Sequence, residues 1–163
     1  MSKVDALPIV FTAQSKAYFY CRDAICEFVF NQNCIPLNPF RVFEYFLGDR
    51  VDRDSVRQAN NNIIRISDEL WVFGHLIADG VLFEIKYAQE LGKPVRFFTV
   101  SNRANEIKEI SVSDLKFEPE VHAKTRLTKE ELFSQITEYQ CLHPSKTQYS
   151  PQLSLFIESD QPK

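Results

Sequence analysis

The chain has 163 residues, 44% apolar and 25% charged, the composition of an ordinary globular domain with room for one core. A formal net charge of −3 leaves no basic footprint for nucleic acid. No apolar run approaches the ~20 residues that span a bilayer, and residues 1–8 lack the apolar stretch of a signal peptide.

The elements follow in chain order. Residues 9–13 form a short apolar run after Pro8 and predict a first strand. Gln14 and Ser15 can cap a helix over 16–31, with Tyr18, Cys21, Ile25, Phe28 and Val29 on one face. Residues 34–37 predict a second strand, closed by Asn38-Pro39-Phe40 at its carboxyl end. Residues 41–47 predict a short aromatic helix, and 48–52 a polar break. Asp54 can cap a helix over 55–66 with Val56, Ala59, Ile63 and Ile66 inward. Its Asn60-Asn61-Asn62 run is poor helix former and reads as solvated.

Ser67-Asp68-Glu69-Leu70-Trp71-Val72-Phe73-Gly74 then predicts a strand buried on both faces, entered from polar residues. Residues 80–91 predict a helix, with Asp79 as its cap, Gly92 just past its end and Pro94 blocking continuation. Residues 95–100 are the next strand, completing a βαβ unit. Residues 101–109 are polar and loop-like, and Lys116-Phe117 predicts a short edge strand. Thr128-Lys129-Glu130-Glu131 is a capping box opening a helix to about Tyr139, with Leu132, Phe133 and Ile136 inward. The domain is expected to occupy 1–140. From 141 to 163 Pro, Ser, Gln and Lys predict a mobile tail, in which 153–157 could dock. The alternation of strands and helices predicts one α/β domain with a mainly parallel sheet of four or five strands.

One helix carries an anomaly. At about 100° per residue, Lys86, Gln89 and Glu90 share the side expected to face water. The opposite arc holds Val81, Ala88, Leu91, Gly92 and, near its centre, Glu84. A carboxylate in an apolar stripe is costly unless paired or used. Glu84 lies about a turn from the helix start, at the strand edge where open α/β sheets bind ligands. An acid serving the helix macrodipole is the competing explanation. Gly74 and His75, at the end of the preceding strand, belong to the same neighbourhood, as do Asn38 and Phe40 at the end of the second strand.

Other chemistries find no support. There is no G-x-G-x-x-G, Walker A or G-x-S-x-G pattern. The four cysteines, Cys21, Cys26, Cys34 and Cys141, have no metal-ligand spacing, so reduced thiols in a cytoplasmic protein are expected, with no metal and no cofactor. His75, His122 and His143 stand apart in sequence, and only His75 lies near Glu84.

The spacing Asp79-Gly80-x-x-x-Glu84-x-x-x-Ala88-x-x-x-Gly92-Lys93-Pro94-Val95, behind residues 67–74, resembles the nucleoside 2-deoxyribosyltransferase family and its nucleotide N-glycosidase relatives. The resemblance implies a flavodoxin-like, Rossmann-like three-layer sandwich and subunits that associate as dimers or larger homo-oligomers. It implies a nucleoside or nucleotide as small-molecule partner, with neither nucleic acid nor membrane, and chemistry at the N-glycosidic bond. The Glu84 position is then the nucleophile that forms a glycosyl-enzyme. Four features depart from the family: Ala78 replaces an aspartate six residues before the glutamate, with Asp79 next; the strand-to-helix loop is short, which predicts a smaller pocket or one shaped by 41–53; the C-terminal residues that transferases lend to a neighbouring subunit have no clear match; and the first strand lacks a tyrosine. Tyr18 or Tyr20 is then the substitute from the following helix.

Three functions are therefore open. In the first, an enzyme transfers or hydrolyses with Glu84 as nucleophile. Asp79 or Asp68 orients the substrate, and backbone N–H groups near Gly80 contact it at the helix start. Asp68 reaches the site only if its strand begins later than drawn. The second is a non-catalytic nucleotide-binding or sensing module on the same scaffold. The third is an interaction protein that assembles through Phe40, Phe43, Tyr45 and Phe46.

Overall fold

The structure, a computed structural model, describes residues 6–43 and 50–148. Most of the expected 41–47 helix, with Tyr45 and Phe46, and the apolar stretch 153–157 lie outside the described residues.

Six strands are present among them: β1 (Ile9–Gln14), β2 (Ile35–Leu37), β3 (Glu69–Phe73), β4 (Leu76–Ile77), β5 (Val95–Phe98) and β6 (Lys116–Phe117). Four of them form one parallel sheet in the order β2-β1-β3-β5. The helices are α1 (Arg22–Asn31), α2 (Pro39–Val42), α3 (Arg53–Ile66), α4 (Asp79–Glu90), α5 (Pro119–Thr125) and α6 (Lys129–Leu142). From the adjacent pair β1 and β3 the chain winds outward in both directions. This is the doubly wound, flavodoxin-like arrangement, and it opens a crevice at the carboxyl ends of the central strands.

Period-two alternation splits the strands between two cores. Phe11, Ala13, Leu70, Val72, Val95 and Phe97 face a cluster completed by α3, α4 and α6 through Ile64, Val81, Ile85, Ala88, Leu132 and Ile136. Val10, Trp71, Phe73 and Phe98 face the other side, with Cys21, Ile25, Phe28 and Val29 of the α1 region. There Phe28 stands edge-on to Phe98 at 5.2 Å between ring centroids, and Phe73 stacks on Phe98 at 5.3 Å. Buried helices on both faces make the three layers.

Local signals explain the helix ends. Gly92 has φ 70°, its N–H bonds to Gln89 O at 3.0 Å, and the Lys93 N–H bonds to Ala88 O at 3.0 Å. That pair is a Schellman closure of α4. Thr128 and Glu131 form the expected capping box on α6.

Other expectations shift. Residues 16–21 form a 3₁₀ stretch kinked at Tyr18, and only then does α1 begin. Asp52, rather than Asp54, caps α3, its Oδ2 accepting from the Ser55 N–H at 3.1 Å. Ala78 occupies the N-cap of α4, so Asp79 is its first residue. Lys116-Phe117 pairs with β4 in a separate two-stranded sheet. Leu91 and Ile66, expected inward, are exposed.

The C-terminal segment differs most. Helix α6 continues to Leu142, and 145–147 lie against the amino end of β3. Glu69 is buried there. It accepts from Ser145 Oγ at 2.9 Å, the Lys146 N–H at 3.0 Å, the Thr147 N–H at 3.2 Å and Trp71 Nε1 at 2.8 Å. Arg96 adds a bond to Thr147 Oγ1 at 2.8 Å while paired with Glu109 at 2.8 Å. A polar segment is held because a buried carboxylate needs donors, which composition alone does not reveal.

Candidate functional site

A hollow of about 400 Å³ opens at the carboxyl edge of β1. Its floor is Thr12 and Gln14 of β1, and one wall is Phe40 of α2 with Phe43. Arg53, Arg57, Asn60 and Asn61 of α3 form a second wall, and Asp79, Gly80, Phe83 and Glu84 of α4 a third. Glu118, the N-cap of α5, and Glu120 and Lys124 within it close the remaining side.

Glu84 reaches this hollow because of how α4 packs. Val81, Leu82, Ile85 and Ala88 are the buried residues of α4, so its apolar stripe is centred nearer Ile85 than Glu84. Glu84 stands on the border of the stripe, half-buried, and turns toward α3. There Asn60 Nδ2 donates to its Oε1 at 3.2 Å. Among the described residues no cation pairs with it. Burial pushes the Glu84 carboxyl up to about 8, and the Asn60 bond draws it back only in part.

Three further polar atoms around the hollow are buried without a hydrogen-bond partner among the described residues: Thr12 Oγ1, Asn60 Oδ1 and Asn61 Oδ1. Buried polar atoms are normally paired, at a cost of ~1–3 kcal/mol each when they are not. All three belong to residues that line the hollow, beside a carboxyl group held off its ordinary range.

Gln14 is a fixed part of the floor. Its Nε2 donates to Tyr18 O at 2.7 Å and its Oε1 accepts from Asn38 Nδ2 at 2.7 Å. Asn38, 1% exposed, stands behind it and caps α2 by accepting from the Phe40 N–H at 3.0 Å. Asp79 Oδ2 is paired with Lys124 Nζ at 2.6 Å, which fastens the start of α4 to α5.

The chain is similar to known proteins in two comparisons. A family model described as "Domain of unknown function (DUF7768)" matches residues 11–98, more than half of the chain. The chain belongs to that family. Among solved structures it is similar to 2-desoxiribosyltransferase from Leishmania mexicana, with a TM-score of 0.45 and 18% identity over 85% of this chain and 99% of that one. No curated protein matches it.

The DUF7768 match runs from β1 to β5. It therefore includes Thr12, Gln14, Asn60, Asn61 and Glu84, whereas Glu118, at the N-cap of α5, and the α5 residues Glu120 and Lys124 fall outside it. Of the residues singled out in the DUF7768 sequence, Glu84, Asp79, Gly80 and Phe40 line the hollow, and Asn38 acts from behind Gln14.

Asp68 is not brought to the hollow. It lies at the amino edge of the sheet, where its Oδ2 accepts from the Ile9 N–H at 2.7 Å. It lines a separate hollow of about 600 Å³ with Glu69 and 142–147. The strand begins at Glu69, so the later start that Asp68 needed does not occur. At that second hollow the Glu69 oxygens are already occupied by donors, and among the described residues no buried side-chain polar atom there lacks a partner.

Gly74 and His75 also lie off the hollow's lining. Gly74 has φ 109°, and a Cβ there would meet the Tyr18 ring at 2.6 Å, so its role is a tight turn under Tyr18. His75 is exposed, and its carbonyl accepts from the Lys116 N–H at 2.8 Å. Tyr18 is engaged with Gly74, and Tyr20 is 67% exposed. Sequence reasoning missed the α3 wall. The signal was present: Arg53, Arg57, Asn60 and buried Ile64 fall at spacings of three and four, one helical face.

Among the described residues no helix is long and apolar enough to cross a membrane.

Proposed function

We propose that the protein acts at the N-glycosidic bond of a (deoxy)nucleoside or nucleotide, with Glu84 as the nucleophile. One observation carries the reading. The Glu84 carboxyl is desolvated yet opens onto a hollow, and a single amide holds it there among unpaired polar atoms. The motif around Glu84 agrees with this, and Phe40, Phe43 and Phe83 supply apolar faces for a base.

In the reaction, a Glu84 oxygen attacks the anomeric carbon as the C–N bond breaks. The base leaves with the bonding pair and takes a proton from solvent. The oxygen of water, or a nitrogen of a second base, then attacks the same carbon and gives up its proton to solvent, while the glycosyl–Glu84 bond breaks with its electron pair returning to the carboxylate. The oxocarbenium-like transition states gain from a carboxylate close by in a poorly solvated hollow. Asn60 orients Oε1, Asp79 positions substrate from the start of α4, and the Gly80 backbone contacts it. Asp68 takes no part. Assembly as a dimer or larger homo-oligomer belongs to the same reading, and sedimentation tests it.

The assay is base release from a panel of deoxynucleosides, nucleosides and their monophosphates, with and without an acceptor base. Wild-type protein releases base and Glu84→Gln does not. Because the nucleophile must be ionised, kcat/KM rises with pH up to about 8 and levels off above it. Turnover that survives Glu84→Gln overturns the assignment.

A second reading, nucleotide binding without turnover, has its own observation. A carboxyl group titrating at about 8 is mostly protonated at neutral pH, where it donates a hydrogen bond rather than attacks. Stabilisation by nucleotide with no product selects this reading.

A further inference from the structure

We infer that the α3 wall of the hollow is a phosphate subsite, so that the ligand is a nucleoside 5′-monophosphate rather than a free nucleoside. This rests on the reading of the hollow as a nucleoside site. It draws on residues that reading does not use.

The charges around the hollow are unevenly spent. On the α5 side Lys124 is engaged twice, with Asp79 at 2.6 Å and Glu120 at 3.5 Å, and Glu118 stands beside them, so the cation of that wall is spent and the wall stays net negative. On the α3 side stand Arg53 and Arg57, one turn apart on one face. Arg53 makes no ion pair among the described residues. Arg57 pairs with Asp54, at 3.5 Å, and the Asp54 side chain is 86% exposed. An exposed pair of that kind contributes little and is readily exchanged for a better anion. The guanidinium of Arg57 also lies over the Phe83 ring, 5.8 Å from its centroid, on the α4 wall. Two guanidinium groups at the rim of a polar hollow match the geometry of phosphate oxygens.

Distance along α3 supports the assignment. Asn60 marks the level of the Glu84 carboxyl, since the two are bonded. At 1.5 Å rise per residue, Arg57 lies roughly 5 Å and Arg53 roughly 10 Å along the helix from Asn60. An anion held by the two arginines is thus displaced from Glu84 by one to two helical turns. That offset is of the order separating the anomeric carbon of a pentose from its 5′-phosphate. The sugar then lies across Asn60 Oδ1, Asn61 Oδ1 and Thr12 Oγ1. The two amide oxygens need donors, and sugar hydroxyls supply them. A hollow of about 400 Å³ is near the small end for ligand sites, which favours a monophosphate over a polyphosphate.

The test is calorimetric titration of the full chain with matched nucleosides, their 5′-monophosphates, and inorganic phosphate. Wild type is compared with the double variant Arg53→Ala/Arg57→Ala and with Arg53→Lys/Arg57→Lys, and thermal melts check that each variant folds. The expected result is that the monophosphates bind roughly tenfold or more tightly than the nucleosides. That ratio falls toward one in the alanine variant, recovers partly in the lysine variant and shrinks with salt. Equal affinity for nucleoside and monophosphate overturns the inference, as does a ratio that the alanine variant leaves intact, or phosphate alone binding as well as the nucleotide. Base release by the same proteins separates the two proposals. A phosphate-dependent affinity without base release leaves the subsite standing and removes the glycosidic reading. Base release indifferent to the phosphate does the reverse.

Discussion

Replacing Glu84 by Gln removes one ionisable group while keeping its size and a partner for Asn60. The Glu84 carboxyl ordinarily titrates at 4.5 and is pushed up to about 8 in the folded chain by burial. A group whose pKa is raised on folding contributes stability that is fully present below the unfolded pKa and lost as pH rises through the folded one. Wild-type protein therefore loses stability between about pH 4.5 and 8, because the folded state resists ionisation that the unfolded chain undergoes freely. Taken at full value the displacement corresponds to ~5 kcal/mol. Solvent entering through the hollow screens the charge and reduces this to on the order of 2–3 kcal/mol. The assay is urea unfolding of wild type and Glu84→Gln at pH 5, 7 and 9. The two should nearly coincide at pH 5, and by pH 9 the variant should be the more stable by on the order of 2–3 kcal/mol. At this chain length that difference is a melting shift of roughly 5–10 °C. A constant difference across the range, or a variant less stable at pH 9, would refute the idea that Glu84 is a desolvated acid held beside the hollow.

Further outcomes concern residues around it. Asn60→Ala removes the amide donor that stabilises the charged carboxyl, so the Glu84 titration and any pH–rate profile should move to higher pH; an unmoved profile would show that the amide does not act on Glu84. Gly74→Ala forces a Cβ into the Tyr18 ring at a φ of 109°, and should cost on the order of 2–3 kcal/mol in denaturant unfolding. Glu69→Ala strips the acceptor from Ser145, Lys146, Thr147 and Trp71, and should release 143–148 to limited proteolysis with a loss of about 2–4 kcal/mol. Unchanged cleavage there would mean that other contacts hold the segment.

Much of the framework was legible because it is local. The short apolar runs 9–13 and 70–73 mark buried strands by their length and composition alone. Gly92 and the Thr128–Glu131 box mark helix ends through hydrogen bonds made within a few residues. Glu84 stood out because a carboxylate beside Val81 and Ala88 violates the polarity of its own helix. What failed were judgements that needed a partner from elsewhere. Asn60 and Asn61 read as solvated until α4 is laid against α3. Asp68 was attractive by its nearness in sequence to the motif, yet the strand carries it to the far edge.

The amino-acid order alone determined the succession of the parallel strands and the helices between them, the helix ends at Gly92 and Thr128 and the presence of one ill-placed acid, since each follows from contacts within a turn or two of chain; β4 and α5 were not legible in it. The tertiary structure decided which walls face that acid. The order β2-β1-β3-β5 sets Thr12 and Gln14 beneath α3 and α4, and so turns Arg53, Arg57, Asn60 and Asn61 toward Glu84. It also gave the polar residues 145–147 a buried carboxylate to bind. A periodic pattern states which side of an element avoids water, but the identity of the element packed opposite is a property of the whole chain.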